Sequence, residues 1–212
     1  MRHNTELLQS YDALAKSVVF VPDNQGVSLV NYNKMELTPI GHGRSAYVFK
    51  IRKSNKVLKV FYPPFEDIAA KEAEIYQMLK GVTFYPTLYD FGENYLVIDH
   101  IEGLTLFECL VHGRKMNESH VEQIDEALGM ARERGLNPSD IHLHNIIITP
   151  TDEVKLIDVA RFRQEKFCTQ WEDIKAVFFK YYIKKYFPKK WPARVLYFIA
   201  ALYKKNLLTR FY

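Results

Sequence analysis

Cysteine is scarce. Cys109 and Cys168 are the two in 212 residues, far apart and without Cys-x-x-Cys spacing, so neither a disulfide framework nor a zinc knuckle is supported and a reducing cytosol fits. Long hydrophobic runs are missing too: the longest, from Val195 to Tyr203, is about half a membrane span, and the N-terminal residues lack the apolar core of a signal peptide. A cytoplasmic protein without a transmembrane segment is expected. Low-complexity stretches and repeats are lacking, and between Val159 and Ala201 Thr169 is the single Ser or Thr, which argues against switching by multiple phosphorylation there. Acid is absent from Lys180 to Tyr212, where nine Lys or Arg stand.

What is present is ordinary for a globular chain, with 25% charged residues, 48% hydrophobic residues and a formal charge of +4. The length suits two compact halves sharing the chain. Residues 4 to 16 read as a short helix and residues 17 to 34 as strand and turn. From Met35 the pattern runs strand, glycine turn, strand, polar turn, strand, then a helix from about Glu66 to Leu79 after Pro63 and Pro64. Two strands follow between Phe84 and Ile98, around the turn at Asp90 to Asn94, and Asp99 to Gly103 reads as a linker. Beyond it the chain turns helical. Ser119 to Arg134 places Val121, Ile124, Leu128 and Ala131 at helical spacing, with Glu122 set to complete a capping box on Ser119. Two later helical stripes are expected, one of Ile174, Val177, Phe178 and Tyr181, the other of Val195, Phe198, Ile199 and Leu202.

The chemistry is carried by a spaced set of polar residues. Asn145 stands five residues after Asp140, and Asp158 thirteen after Asn145, on the two arms of a short hairpin. An aspartate at a loop mouth can orient or deprotonate a hydroxyl, while an asparagine and a second aspartate offer hard oxygen atoms to magnesium. Upstream, Lys59 lies in an apolar strand, on the face of Val57 and Phe61, where a cation needs a partner. Gly41 and Gly43 flank His42 before Ser45 and Ala46, in a turn whose amides could approach phosphate oxygens.

Taken in order over roughly residues 36 to 160, these elements resemble the protein-kinase superfamily: glycine-rich loop at Gly41 to Phe49, lysine strand at Val57 to Phe61, partner helix at Lys71 to Leu79, catalytic loop at Asp140 to Asn145, and metal aspartate Asp158. The resemblance implies an α+β, two-lobed fold, with an N-terminal antiparallel sheet plus one helix and a reduced, mostly helical C-terminal lobe. Residues 1–34 are then an extension on or near the small lobe, 35–98 that lobe, 99–103 the hinge and 104–212 the second lobe. It implies ATP and Mg2+ as cofactors: Gly41, Gly43, Ser45 and Ala46 over the phosphates, Lys59 on the α and β phosphates, adenine against main-chain groups from Asp99 to Ile101, and Asn145 and Asp158 on the metal. It assigns Asp140 to the attacking hydroxyl. It prefers Glu74 to Glu72 as the partner of Lys59, because Ile75, Met78 and Leu79 follow Glu74 in the family's pattern.

The sequence departs from that pattern at defined points. Pro138 and Ser139 stand where His-Arg usually precedes the catalytic aspartate, Val159 and Ala160 follow Asp158 in place of Phe-Gly, and Ala46 replaces the third loop glycine. His142 occupies the position of the catalytic-loop lysine and could stand in as the phosphate contact. The run Asp140-Ile141-His142-Leu143-His144-Asn145 is closer to aminoglycoside phosphotransferases and small atypical kinases. The short remainder after Asp158 resembles Rio-like and lipopolysaccharide-kinase-like proteins. The leading expectation is a small serine/threonine protein kinase acting on a protein substrate with a constitutively assembled site. A pseudokinase and a small-molecule phosphotransferase are the alternatives. The basic, aromatic C-terminus could meet an anionic partner, whether nucleic acid, membrane surface or acidic protein, or could be two helices that bury their apolar stripes and expose lysines.

Overall fold

The structure, a computed structural model, describes residues 10–23, 26–165 and 168–204. The architecture is α+β, and the chain divides into two compact units, Met1–Ile101 and Glu102–Tyr212, the boundary falling inside the segment expected to link two lobes.

The first unit is built on strands and opens with helix α1 (Tyr11–Lys16), which Ser10 caps by accepting from the Ala13 N–H. The rest of the helix expected over residues 4 to 16 lies outside the described residues. The hairpin β1 (Val19–Asp23) and β2 (Gly26–Asn31) follows. Next come β3 (Leu37–His42), β4 (Ala46–Ile51) and β5 (Lys56–Phe61), then helix α2 (Asp67–Met78), then β6 (Leu88–Phe91) and β7 (Tyr95–Asp99). Five of these strands form one antiparallel sheet in the order β3-β4-β5-β7-β6.

The central strand β5 is buried on both faces because each face has its own cover. Leu58 and Val60 point to one side, where they pack with Phe49, Val97 and the α1 side chains Leu14 and Ala15. Full burial of each such aliphatic contributes about 1.5–3 kcal/mol. Phe20 and Leu29 of the first hairpin lean on the same cluster. Alternation sends Val57, Lys59 and Phe61 to the opposite face, toward α2.

The second unit holds β8 (Leu104–Thr105), α3 (Leu106–His112), α4 (Glu118–Glu133), the hairpin β9 (Ile146–Ile148) and β10 (Val154–Leu156), α5 (Gln170–Val177) and α6 (Ala193–Lys204). Strands β8, β9 and β10 form a small antiparallel sheet. Helix α3, absent from the expected elements, is fixed by a capping box of Thr105 and Glu108 and ends at Gly113, whose φ of 79° suits glycine.

The structure departs from expectation at three helices. The capping box of α4 is formed by Asn117 and His120, with the His120 N–H on Asn117 Oδ1 and the Asn117 N–H on His120 Nδ1, both at 3.1 Å. Asparagine caps at least as well as serine, so the helix starts earlier and Ser119 falls inside its first turn. The expected stripe Val121, Ile124, Leu128 and Ala131 is buried. After α5 the chain widens into a π-turn at Phe178–Tyr182, which shifts the inward face to Trp171, Phe178 and Tyr182 and leaves Val177 half exposed. Of the stripe on α6, Val195, Phe198 and Ile199 are exposed and Leu202 is half-buried, so the reading in which both aromatic helices bury their stripes does not hold there.

Candidate active site

In the first unit the site centres on Lys59. Its ammonium donates to both oxygens of Glu72, at 2.9 and 2.8 Å, with the lysine 9% and the glutamate 0% exposed. The pairing corrects the assignment of Glu74. On a helix each residue advances about 100°, so Glu72 shares the inward face of α2 with Ala69, Ala73 and Tyr76, whereas Glu74 is turned to solvent. A helical reading of this apolar stripe would have singled out Glu72 as the charge that breaks it.

The glycine turn between β3 and β4 is held from below. The Gly43 N–H donates to the Ala46 carbonyl at 2.8 Å, and the Tyr62 hydroxyl donates to the carbonyls of Gly43, at 3.0 Å, and Arg44. The Tyr62 N–H donates to the Ser45 carbonyl at 3.2 Å. Burial raises the Tyr62 pKa, which keeps the hydroxyl a donor. No sequence signal marks Tyr62 for this role. Ala46 is buried opposite Phe61, while Gly41 and Gly43 are exposed. A Cβ at Gly41 would meet nothing within 4 Å, and one at Gly43 only the Ala46 carbonyl at 4.0 Å, so packing within the protein does not require glycine at either place.

At the end of β7 the Asp99 carboxylate is committed to structure: it accepts from the Thr87 N–H at 2.7 Å and the Tyr89 hydroxyl at 2.8 Å. The Asp99 N–H donates to the Thr87 carbonyl and the His100 N–H to the Asn55 carbonyl.

In the second unit the loop before β9 gathers the remaining residues. Asn145 is 8% exposed, and its Nδ2 donates to the Asp140 carbonyl at 3.1 Å, which directs Oδ1 the other way. Its main chain continues the tie, the N–H donating to the His142 carbonyl and the carbonyl accepting from the Ile157 N–H, both at 2.9 Å. One asparagine thus locks the loop of Asp140 to the strand end that carries Asp158. Asp140 and Asp158 both have positive φ, 64° and 60°, a conformation that costs roughly 1–3 kcal/mol outside glycine.

The Asp140 carboxylate lies between two cationic or polarisable groups. His142 Nε2 is 3.8 Å from Oδ1, and Arg161 Nε is 3.5 Å from Oδ2. His142 Nδ1 accepts from the His144 N–H at 3.3 Å, which leaves the ring proton on Nε2, the nitrogen nearer Asp140. Arg161 was not foreseen, and nothing in its spacing announces it. The His144 ring stacks on Phe107 at 4.3 Å. Ser139, standing where an arginine usually does, is buried and donates to the Asn137 carbonyl at 3.2 Å.

The segment after Asp158 is tied to the loop that leads into Asp140. Phe162 is buried, its carbonyl accepts from the Asn137 N–H at 2.7 Å, and Asn137 and Arg163 form a parallel bridge.

No protein-family model matches the chain. The chain is 45% identical over 202 residues to a Bacillus subtilis protein named "Putative serine/threonine-protein kinase YrzF", covering 94% of each. It is 29% identical over 151 residues to "Probable serine/threonine-protein kinase CA_C1728" of Clostridium acetobutylicum, covering 63% of this chain and 23% of that protein. A 78-residue stretch is 28% identical to a 3-deoxy-D-manno-octulosonic acid kinase of Xylella fastidiosa, 37% of this chain and 31% of that one. With a bidentate lysine–glutamate pair on its central strand, an asparagine-locked aspartate loop and a full-length relative at this identity, the chain belongs to the protein-kinase-like superfamily, among its small atypical members.

Proposed function

We propose that the protein transfers the γ-phosphoryl group of ATP, with magnesium, to serine or threonine of a protein acceptor in the cytoplasm. The observation that carries the reading is the Lys59–Glu72 pair. An ion pair held almost wholly out of water is weak support for stability, because desolvation offsets its attraction, so its place on the central strand points to use.

The roles follow from the groups each unit presents. Glu72 fixes the Lys59 ammonium, a point charge suited to phosphate oxygens. Gly41 and Gly43, which the fold does not need as glycines, suit close approach of phosphate to main-chain N–H groups. The Asp99 carbonyl and the Ile101 N–H give the acceptor and donor that an adenine edge requires. Asn145 Oδ1 and the Asp158 carboxylate suit magnesium, which prefers few protein oxygens and completes its shell from phosphate and water. When bound, the metal neutralises charge on the phosphate oxygens. Asp140 accepts the proton of the attacking hydroxyl, His142 Nε2–H faces the same place as a phosphate contact, and Arg161 positions the carboxylate. Anchoring of Phe162 and Asn137 supports a site assembled without activating phosphorylation; a large rise in activity after phosphorylation of Thr169 would count against it.

The test incubates wild type and Asp140→Asn with labelled ATP, magnesium and a generic acceptor protein. Label on Ser or Thr that is lost in the variant is the expected result. Equal silence in both with ATP still bound would instead mark a pseudokinase, and label passing only to small alcohols or sugars would mark a small-molecule phosphotransferase.

A further inference from the structure

Val195, Phe198 and Ile199 stand at i, i+3 and i+4 on α6 and share one face of it. A helix of a globular protein normally turns such a stripe to the core, yet these three are 37, 64 and 42% exposed. Leu202, at i+7 on the same face, is half-buried, and the helix packs through the half-buried Leu196 and Tyr203, the latter donating its hydroxyl to Asp173 at 2.5 Å, and through Tyr197, whose ring lies 4.9 Å from that of Phe107. Just upstream Val177, Phe179, Ile183 and Tyr186 are exposed as well. Of the fifteen exposed large hydrophobic residues among those described, eight fall between Val177 and Ile199, so the apolar surface is concentrated and not scattered. The same segment exposes Lys180, Lys184, Lys185, Lys190 and Arg194, with no acid from Lys180 to Lys204.

We propose that this surface binds the anionic face of a phospholipid bilayer, α6 lying in the headgroup plane with its stripe inserted and the lysines on phosphate. The combination selects the partner. Cations attract any polyanion, but a stripe of Val, Phe and Ile gains nothing from a sugar-phosphate backbone and gains directly from acyl chains. A second copy of the chain would bring the same run of lysines against its own like, which opposes a symmetric pairing. At twelve residues α6 is about 18 Å long. The hydrocarbon layer is roughly 30 Å thick, more than this stretch of helix spans, so the proposal sets it on the bilayer. Among the described residues no helix is long and apolar enough to cross.

The experiment sediments the whole protein with vesicles of phosphatidylcholine and with vesicles in which part of it is replaced by phosphatidylglycerol, at low and high salt. Binding to the anionic vesicles alone, weakened by salt, is expected. It should fall at least about tenfold in Phe198→Ser/Ile199→Ser and, separately, in Lys184→Glu/Lys185→Glu. The lysine pair lies on an exposed turn, so it keeps the test decisive if the helix variant misfolds by circular dichroism. The idea is overturned if the folded protein ignores anionic vesicles or binds neutral ones equally. It is overturned too if the stripe variant dissolves a dimer without altering vesicle binding, or if RNA competes and its binding survives loss of the stripe. Binding is read without phosphate transfer, so it stands apart from the kinase assay.

Discussion

Both carboxylate oxygens of Glu72 accept from the ammonium of Lys59, at 2.9 and 2.8 Å, and neither residue has more than a sliver of surface in contact with water. Removing one partner strands the other. Glu72→Ala is expected to lower stability by about 3–5 kcal/mol and to abolish transfer, while Glu74→Ala on the solvent side costs no more than about 1 kcal/mol and leaves turnover near wild type. Urea unfolding together with turnover of the two variants checks this, and equal losses in both would restore Glu74 as the functional partner.

Asn145 offers a donor on one side and an oxygen on the other. Asn145→Asp keeps an oxygen on the metal side but removes the N–H that holds the Asp140 carbonyl, leaving oxygen facing oxygen at the 3.1 Å contact. Loss of a buried hydrogen bond with its acceptor left unpaired costs about 1–3 kcal/mol. Turnover is expected to fall by more than this stability loss implies, because the loop and the metal oxygens move together. A variant that keeps wild-type turnover while losing stability would separate Asn145 from the reaction.

Arg161 reaches Asp140 through Nε at 3.5 Å, and both groups are partly exposed. Water screens such a pair, so Arg161→Ala should reduce kcat only about tenfold, with KM for ATP little changed and partial recovery in Arg161→Lys. Steady-state kinetics read the split. A change confined to KM for ATP would argue that Arg161 serves the nucleotide and not the position of Asp140.

Tyr95 lies buried in β7, and burial together with its hydrogen bond to Asp90 at 3.0 Å pushes its pKa up to about 12. The folded chain therefore holds a proton that the unfolded chain gives up near pH 10. Its contribution is fully present below pH 10 and is lost as pH rises toward 12, a total of about 2–3 kcal/mol. Chemical denaturation at stepped alkaline pH should show a steep decline in wild type over that range and a shallower one in Tyr95→Phe.

Much of this architecture was written locally. Alternation in Lys56 to Phe61, the 3.6-residue stripe of Val121, Ile124, Leu128 and Ala131, and the fixed spacing of Asp140, Asn145 and Asp158 each depend on neighbours within a few turns of chain, and periodicity reports them. The start of α4 differs from the local expectation for a related reason: Asn117 and Ser119 both carry capping oxygens, and which one caps is settled by the chain entering the helix.

The sequence by itself determined most of the strands and helices, the resemblance to the superfamily, and the residue types the chemistry needs, because those are encoded in short-range pattern, while β8 and α3 escaped it. Tertiary structure alone decided that Glu72 and not Glu74 meets Lys59, that Tyr62 and Arg161 reach the glycine turn and Asp140, and that the stripe of α6 faces water. Each is a question of which of several equivalent side chains is brought within about 3 to 4 Å of a partner distant in sequence, or is left without one. Packing of separate elements settles that, and no local periodicity carries it.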